Sequence, residues 1–163
     1  MPPKNQAALD FLLTRRSRPA KTLTGPVPDA DALQPILTAA ARTPDHGKLE
    51  PWRFIVLEKA ALRRLASDVV LRGAALTLSA EQVAKAKAQY ANADLAVVVV
   101  SSPVQSEKIP LIEQVYSAGA VCLSMLNAAL TAGWGANWLS GWPTHDRVFV
   151  EQNFGLTADE SVA

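Results

Sequence analysis

Leu95-Ala96-Val97-Val98-Val99-Val100 is an unbroken apolar run rich in β-branched side chains. Such a run suits a central strand buried on both faces, because a strand with one wet face alternates apolar and polar residues. A strand of that kind needs cover above and below it. The rest of the chain offers helices. Residues 30–42 place Leu33, Ile36, Leu37, Ala40 and Ala41 at the spacing of one buried helical stripe, with Asp29 as N-cap. Residues 5–15, 59–72 and 111–132 also read as helices, the first with Leu9, Leu12 and Leu13 on one face. Ser79-Ala80-Glu81-Gln82 matches a capping box that opens a polar helix to about Ala91. Residues 53–58 and 134–140 read as strands, and Thr144 as the start of a last helix ending near Gly155. Helices and strands mix without a regular βαβ rhythm, so the expected class is α+β, with few strands and helices covering the sheet. At 163 residues the chain is expected to be one domain, residues 1–163.

Charge excludes some functions. The 16 basic and 15 acidic residues leave a net charge of +1, which favours neither nucleic acid nor an anionic membrane as main partner. No Asp, Glu, Lys or Arg occurs between Gln114 and His145. The apolar core of that stretch, Ala118 to Leu130, is shorter than the roughly 20 residues that span a bilayer. It fits a buried central helix closed by Gly133 in the C′ position. The single cysteine, Cys122, cannot form an intrachain disulfide, which points to a reducing, cytoplasmic compartment. Its apolar helical setting suits a buried, inert thiol. Met1 to Asp10 lack the basic-then-apolar order of a signal peptide.

Three segments carry residues suited to chemistry. Arg15-Arg16-Ser17-Arg18 ends the first helix. It suits a phosphate clamp, since guanidinium matches phosphate oxygens in bidentate fashion, but taken alone it reads first as a solvated helix end where cations suit the dipole. Thr43-Pro44-Asp45-His46-Gly47-Lys48-Leu49-Glu50-Pro51-Trp52 is a polar loop made rigid by two prolines, set just before a strand that would hold it still. His46 there reads as a ligand contact, a proton donor or a satisfied loop histidine. No zinc site is expected around it, and His145 reads as a surface residue. Gly133-Trp134-Gly135-Ala136-Asn137-Trp138-Leu139-Ser140-Gly141-Trp142 gathers three of the four tryptophans. Flat aromatic walls and close backbone approach suit a flat aromatic ligand, and they also suit ordinary core packing. The chain holds no Gly-x-Ser-x-Gly elbow, Walker loop or dinucleotide fingerprint.

The order of these pieces, with Ser117-Ala118-Gly119-Ala120 inside the long helix, resembles the FMN-dependent nitroreductase family, in its small, minimal YdjA-like subgroup. The resemblance runs from about residue 6 to residue 158. It implies an α+β homodimer, with a central, mostly antiparallel sheet covered by helices and two FMN sites at the subunit interface. Arg15, Arg16 and Ser17 match positions that hold the FMN phosphate and ribityl chain. Arg42 and His46 match positions that reach the flavin from the partner subunit, and Trp138, Leu139 and Ser140 match the stretch lining it from the first. Ala128, Ala129, Leu130, Thr131, Ala132 and Gly133 would lie close to the nicotinamide nucleotide. No catalytic side chain and no metal is implied, because the flavin carries the chemistry.

The implied reaction is ping-pong. NAD(P)H gives a hydride to flavin N5 and leaves, and a nitroaromatic, quinone or similar acceptor takes the electrons. Within the same fold, a flavin-handling enzyme that uses oxygen or another acceptor is the alternative, and a non-catalytic flavin-binding or interaction protein is a third. Two departures stand out. Leu139 occupies a position where many minimal members carry arginine. The sequence also stops at Ala163, where similar proteins continue with a Gly-rich apolar strand and a tail that packs on the partner. Without them a sheet edge would be uncovered.

Overall fold

The computed structural model describes residues 3–163. Strand β2 (Leu95–Ser101) lies in the middle of a three-stranded antiparallel sheet, flanked by β1 (Trp52–Glu58) and β3 (Ser161–Val162). Phe54 stands opposite Val99 and Ile55 opposite Val98. Because side chains alternate along a strand, neighbouring valines of β2 serve different cores. Val100 points into a cluster with Leu57, Leu62, Leu65, Val69, Phe149, Val150 and Phe154. Val99 points the other way, to Ala40, Val121 and Cys122 with Phe54 beside them. The strand is thus buried on both faces, as the apolar run requires. Each such buried Val, Leu or Phe contributes about 1.5–3 kcal/mol relative to leaving it in water.

One face is covered by α3 (Lys59–Ala75), α4 (Ala80–Ala91) and α7 (Arg147–Phe154). Phe149 is the hub there, with Tyr90, Trp142 and Phe154 rings 5.9 to 6.4 Å from its own. The Ser79–Gln82 capping box forms as the sequence indicates, with both reciprocal bonds present. Helices α3 and α4 meet at Gly73, where an added Cβ would stand 2.5 Å from Cγ2 of Val83. The other face is covered by α2 (Ala30–Ala41) and α5 (Leu111–Thr131). Asp29 caps α2 by accepting the Ala32 amide, and Leu33, Ile36 and Ala40 are its buried residues. Leu37 is half-buried and Ala41 exposed, so the stripe is narrower than its sequence spacing suggests.

Two expected elements differ. Residues 134–140 form no strand. Gly135 and Gly141 flank a segment whose one interstrand-like backbone bond runs from the Arg18 amide to the Ala136 carbonyl, 2.9 Å, so no ladder can propagate. The last helix is also broken in two. A single turn, α6 (Trp142–His145), precedes α7, and Asp146 rather than Thr144 is the N-cap of the latter, accepting the Phe149 amide at 2.8 Å. Asp146 is held in place by a bidentate pair with Arg72, at 2.7 and 2.9 Å. Gly155, at φ +63°, ends α7 in the left-handed conformation of a C-cap.

The free side of β2 is partly closed. Val162 pairs with Val100, Ser161 with Ser101, and the Ala163 amide donates to the Val99 carbonyl. This short strand is anchored by Glu160, whose carboxylate accepts two bonds of 2.7 Å from Arg53 on β1. Arg147 reaches over from α7 to donate to the carbonyls of Leu156, Thr157 and Glu160.

Two outcomes follow from this packing. Arg53's hydrogen bonds hold the Glu160 carboxyl down at about 2, from an ordinary 4.5, against the opposing effect of burial. A carboxylate with a lowered folded-state pKa stabilises the fold fully above about pH 4.5 and loses that contribution as pH falls toward 2. Glu160→Gln should therefore cost about 1.5–3 kcal/mol at pH 7. The penalty should shrink steadily below pH 4.5 in urea unfolding experiments, and a pH-independent penalty would contradict the ion pair. Gly73→Ala should lower the melting temperature despite alanine's better helix propensity. The new methyl overpacks a stiff valine, at a cost of about 1–3 kcal/mol.

Candidate functional site

Helix α5 carries the attachments of the polar loop at one end and of the aromatic segment at the other. Its inward residues are Gln114, Ala118, Val121, Cys122 and Leu126. Its outward stripe is apolar yet exposed: Ile112, Tyr116 and Leu123, with Gly119 between them and nothing within 4 Å of where that residue's Cβ would stand. The expectation of a buried central helix thus holds for one face within this chain. Helix α1 (Gln6–Thr14) buries no residue, and Leu9, Leu12 and Leu13 are 42%, 57% and 67% exposed. No helix among the described residues is long and apolar enough to cross a membrane.

The polar loop docks near the start and middle of α5. Thr43 is buried, and its hydroxyl bonds the Ala40 carbonyl and Ser124 Oγ, both at 2.9 Å. His46 Nδ1 lies 2.7 Å from Glu113 Oε2, leaving Nε2 free of any partner within the described residues. Gly47 sits at φ +80°, and a Cβ there would stand 2.2 Å from Cδ1 of Ile109. Lys48 and Glu50 also have positive φ, 55° and 48°. Such backbone costs about 1–3 kcal/mol per non-glycine residue unless something holds it. Asp45 does so, its Oδ2 accepting the amides of Leu49 at 2.6 Å and Glu50 at 2.9 Å. Arg42, the C-cap of α2, is exposed beside Asp31, Gln34 and Thr38 and makes no ion pair among the described residues.

The far end of α5 closes in a Schellman turn. The Gly133 amide bonds the Leu130 carbonyl, the Trp134 amide bonds the Ala129 carbonyl, and Gly133 supplies φ +87°. Ala128, Ala129 and Leu130 are half-buried in this last turn, while Thr131, Ala132 and Gly133 are exposed. The turn directs residues 134–140 away from the helix. Trp138 and Leu139, 48% and 44% exposed, join Ser140, Thr144, His145, Val162 and Ala163 around a cleft of about 280 Å³. His145 is at its surface, as expected.

The arginine segment is bound to this wall. Arg18 donates its amide to the Ala136 carbonyl, and the Asn137 side chain donates back to the Arg18 carbonyl at 2.6 Å. Gly135 lets Leu23 approach, since a Cβ there would lie 2.8 Å from Cδ2 of Leu23. Arg15 Nε is buried with no hydrogen-bond partner, whereas Arg16 and Ser17 are exposed. No carboxylate pairs with Arg15, Arg16 or Arg18 among the described residues. A buried, unpartnered guanidinium nitrogen beside free cations is the donor set a phosphate needs, and the open aromatic wall next to it suits a flat ring. The residues present therefore fit FMN.

The structure thus joins the arginine segment to the start of the aromatic wall through Arg18, while the cleft along Trp138, Leu139 and Ser140 is lined by none of Arg15, Arg16 and Ser17. It does not bring His46 to the wall. Glu113 and Thr131 are about 27 Å apart along α5 at 1.5 Å per residue, and His46 is tied to the first while the wall follows the second. Sequence reasoning missed Glu113, 67 residues from His46, because nothing local marks that pairing.

Asp45→Ala should release the strained loop. The amides of Leu49 and Glu50 should lose hydrogen-exchange protection, with a stability loss of about 1.5–3 kcal/mol. Unchanged exchange at both amides would show that the side chain does not hold the loop.

Comparison with known proteins gives the family. The model of the nitroreductase family matches residues 12–163. A protein of Escherichia coli (strain K12), provisionally named NAD(P)H nitroreductase YdjA, is 36% identical over 157 residues, covering 95% of this chain and 83% of that one. A nitroreductase-like protein of Bacillus cereus has the same fold, with a TM-score of 0.75 at 20% identity over 99% of this chain and 83% of its own. A nitroreductase-type protein from Desulfovibrio desulfuricans, solved in complex with FMN, superposes with a TM-score of 0.72 at 20% identity, covering 98% and 83% of the two chains. With its helices packed on an antiparallel sheet and its family match running through both halves of the site, this chain belongs to the nitroreductase family.

Proposed function

We propose that this protein is an FMN-dependent NAD(P)H oxidoreductase that works as a homodimer, passing electrons to a nitroaromatic, quinone or similar acceptor. The observation that carries the reading is the buried, unpartnered Arg15 Nε in a segment fastened to the aromatic wall. Arg15, Arg16 and Ser17 hold the phosphate and ribityl chain. Trp138, Leu139 and Ser140 line the flavin ring. Ala128, Ala129 and Leu130 offer the nicotinamide an apolar surface, and Gly133 adds no side-chain bulk there. When bound, FMN supplies the hydride acceptor and donor that the protein's side chains lack.

Arg42 and His46 serve the flavin of the other subunit. The distance of His46 from its own chain's wall supports that assignment, as do the exposed apolar faces of α1 and α5. Ile112, Tyr116 and Leu123 with Gly119 form a stripe along which a second helix can approach closely. Glu113 orients His46 through Nδ1, so that Nε2 is presented outward.

Purified protein should be yellow and should bleach on anaerobic addition of NADH or NADPH. Colourless protein that neither binds added FMN nor oxidises either nucleotide would refute the reading. Arg15→Ala should weaken FMN binding by about 1.5–3 kcal/mol in a fluorescence titration, the worth of a charged hydrogen bond. Mixed dimers with Arg15→Ala on one chain and His46→Ala on the other should retain one intact site. Activity no higher than that of either variant alone would rule out the shared site.

A further inference from the structure

Few hydrogen bonds hold the arginine clamp in place. Helix α1, which carries it, buries no residue within the chain. Arg15 bonds back to Phe11 within that helix, and the Arg16 guanidinium bonds the neighbouring Arg15 carbonyl. Among the described residues, the hydrogen bonds that join residues 15–18 to a distant part of the chain are the two at Arg18. One is backbone to backbone, from the Arg18 amide to the Ala136 carbonyl at 2.9 Å. The other is the 2.6 Å bond from Asn137 Nδ2 to the Arg18 carbonyl. A carbonyl can only accept, so the amide nitrogen of Asn137 must face it. The next residue along is Trp138, the first of the wall.

We propose that Asn137 is a positioning residue that sets the distance between the phosphate clamp and the flavin wall, and so determines how strongly the protein prefers a phosphorylated flavin to an unphosphorylated one. This rests on the FMN reading given above. The chemistry is one of preorganisation. A phosphate site delivers its full affinity only if its cations already stand where the phosphate of a wall-bound ring will lie, since ordering them during binding consumes part of the gain. The Arg18 tether links the two places that the ring and the phosphate of one ligand would occupy. Without it the ring still rests on Trp138 and Leu139, but the arginines sample positions that miss the phosphate. Loss of the tether therefore penalises FMN and spares riboflavin, which has the same ring and ribityl chain and no phosphate.

The experiment compares the wild-type chain with Asn137→Leu, which keeps the approximate shape and removes the donor, and with Asn137→Ala. Dissociation constants for FMN and for riboflavin are measured by flavin fluorescence. Both variants should lose at least tenfold in FMN affinity while riboflavin changes less than threefold, so that the preference for FMN collapses. A parallel fall in both ligands would mean that Asn137 supports the wall alone, and unchanged constants would mean that it positions nothing; either overturns the inference. Wild-type protein that fails to bind FMN overturns it together with the functional reading. A ligand-free measurement separates the two. The Arg18 amide should lose hydrogen-exchange protection at least tenfold in both variants, and retained protection would sink the tether even where FMN binding stands.

Discussion

The packing of α5 on the sheet governs the rest of the molecule. Ala118 and Val121 are fully buried, and Val121 packs with Val99 of β2 and Ala40 of α2. Small and branched residues at such a contact allow close approach and leave few rotamers to choose from. Each part of the candidate site is then fixed by reference to this helix. The polar loop is attached at Glu113 and Ser124, and the aromatic wall leaves from the turn at Gly133. A larger side chain at Ala118 would push the helix outward and displace both at once.

Two sets of arginines differ in what they touch. Arg53, Arg72 and Arg147 are tied to carboxylates or carbonyls that organise the C-terminal third. Those bonds are bidentate or multiple, the geometry in which a guanidinium is hardest to replace by lysine. Arg15, Arg16 and Arg42 have no carboxylate partner among the described residues. Arg15 and Arg16 follow the end of α1, and Arg42 caps the end of α2.

Much of the fold was legible because its signals are local. The Leu95–Val100 run, the Asp29 cap, the Ser79–Gln82 box and Gly133 as a helix stop each rest on residues within a few positions of one another. The failures were non-local or marginal. Residues 134–140 have the composition of a strand but no neighbour with which to build a ladder, a fact that depends on where Arg18 lies. The break before α7 depends on Asp146 being held by Arg72, 74 residues earlier. The motifs of the site were readable as residue types, whereas the bonds that position them, from Glu113 and Asn137, join residues 67 and 119 positions apart.

Cys122 faces the inner core with 6% of its surface exposed, and burial pushes its thiol up to about 11. As the chain's one cysteine it is both shielded and protonated at neutral pH. A cysteine introduced at an exposed position on α1 would consequently be the sole thiolate source within reach of a maleimide. The native chain can thus carry a single reporter dye or spin label on α1 without first being stripped of its own sulfur.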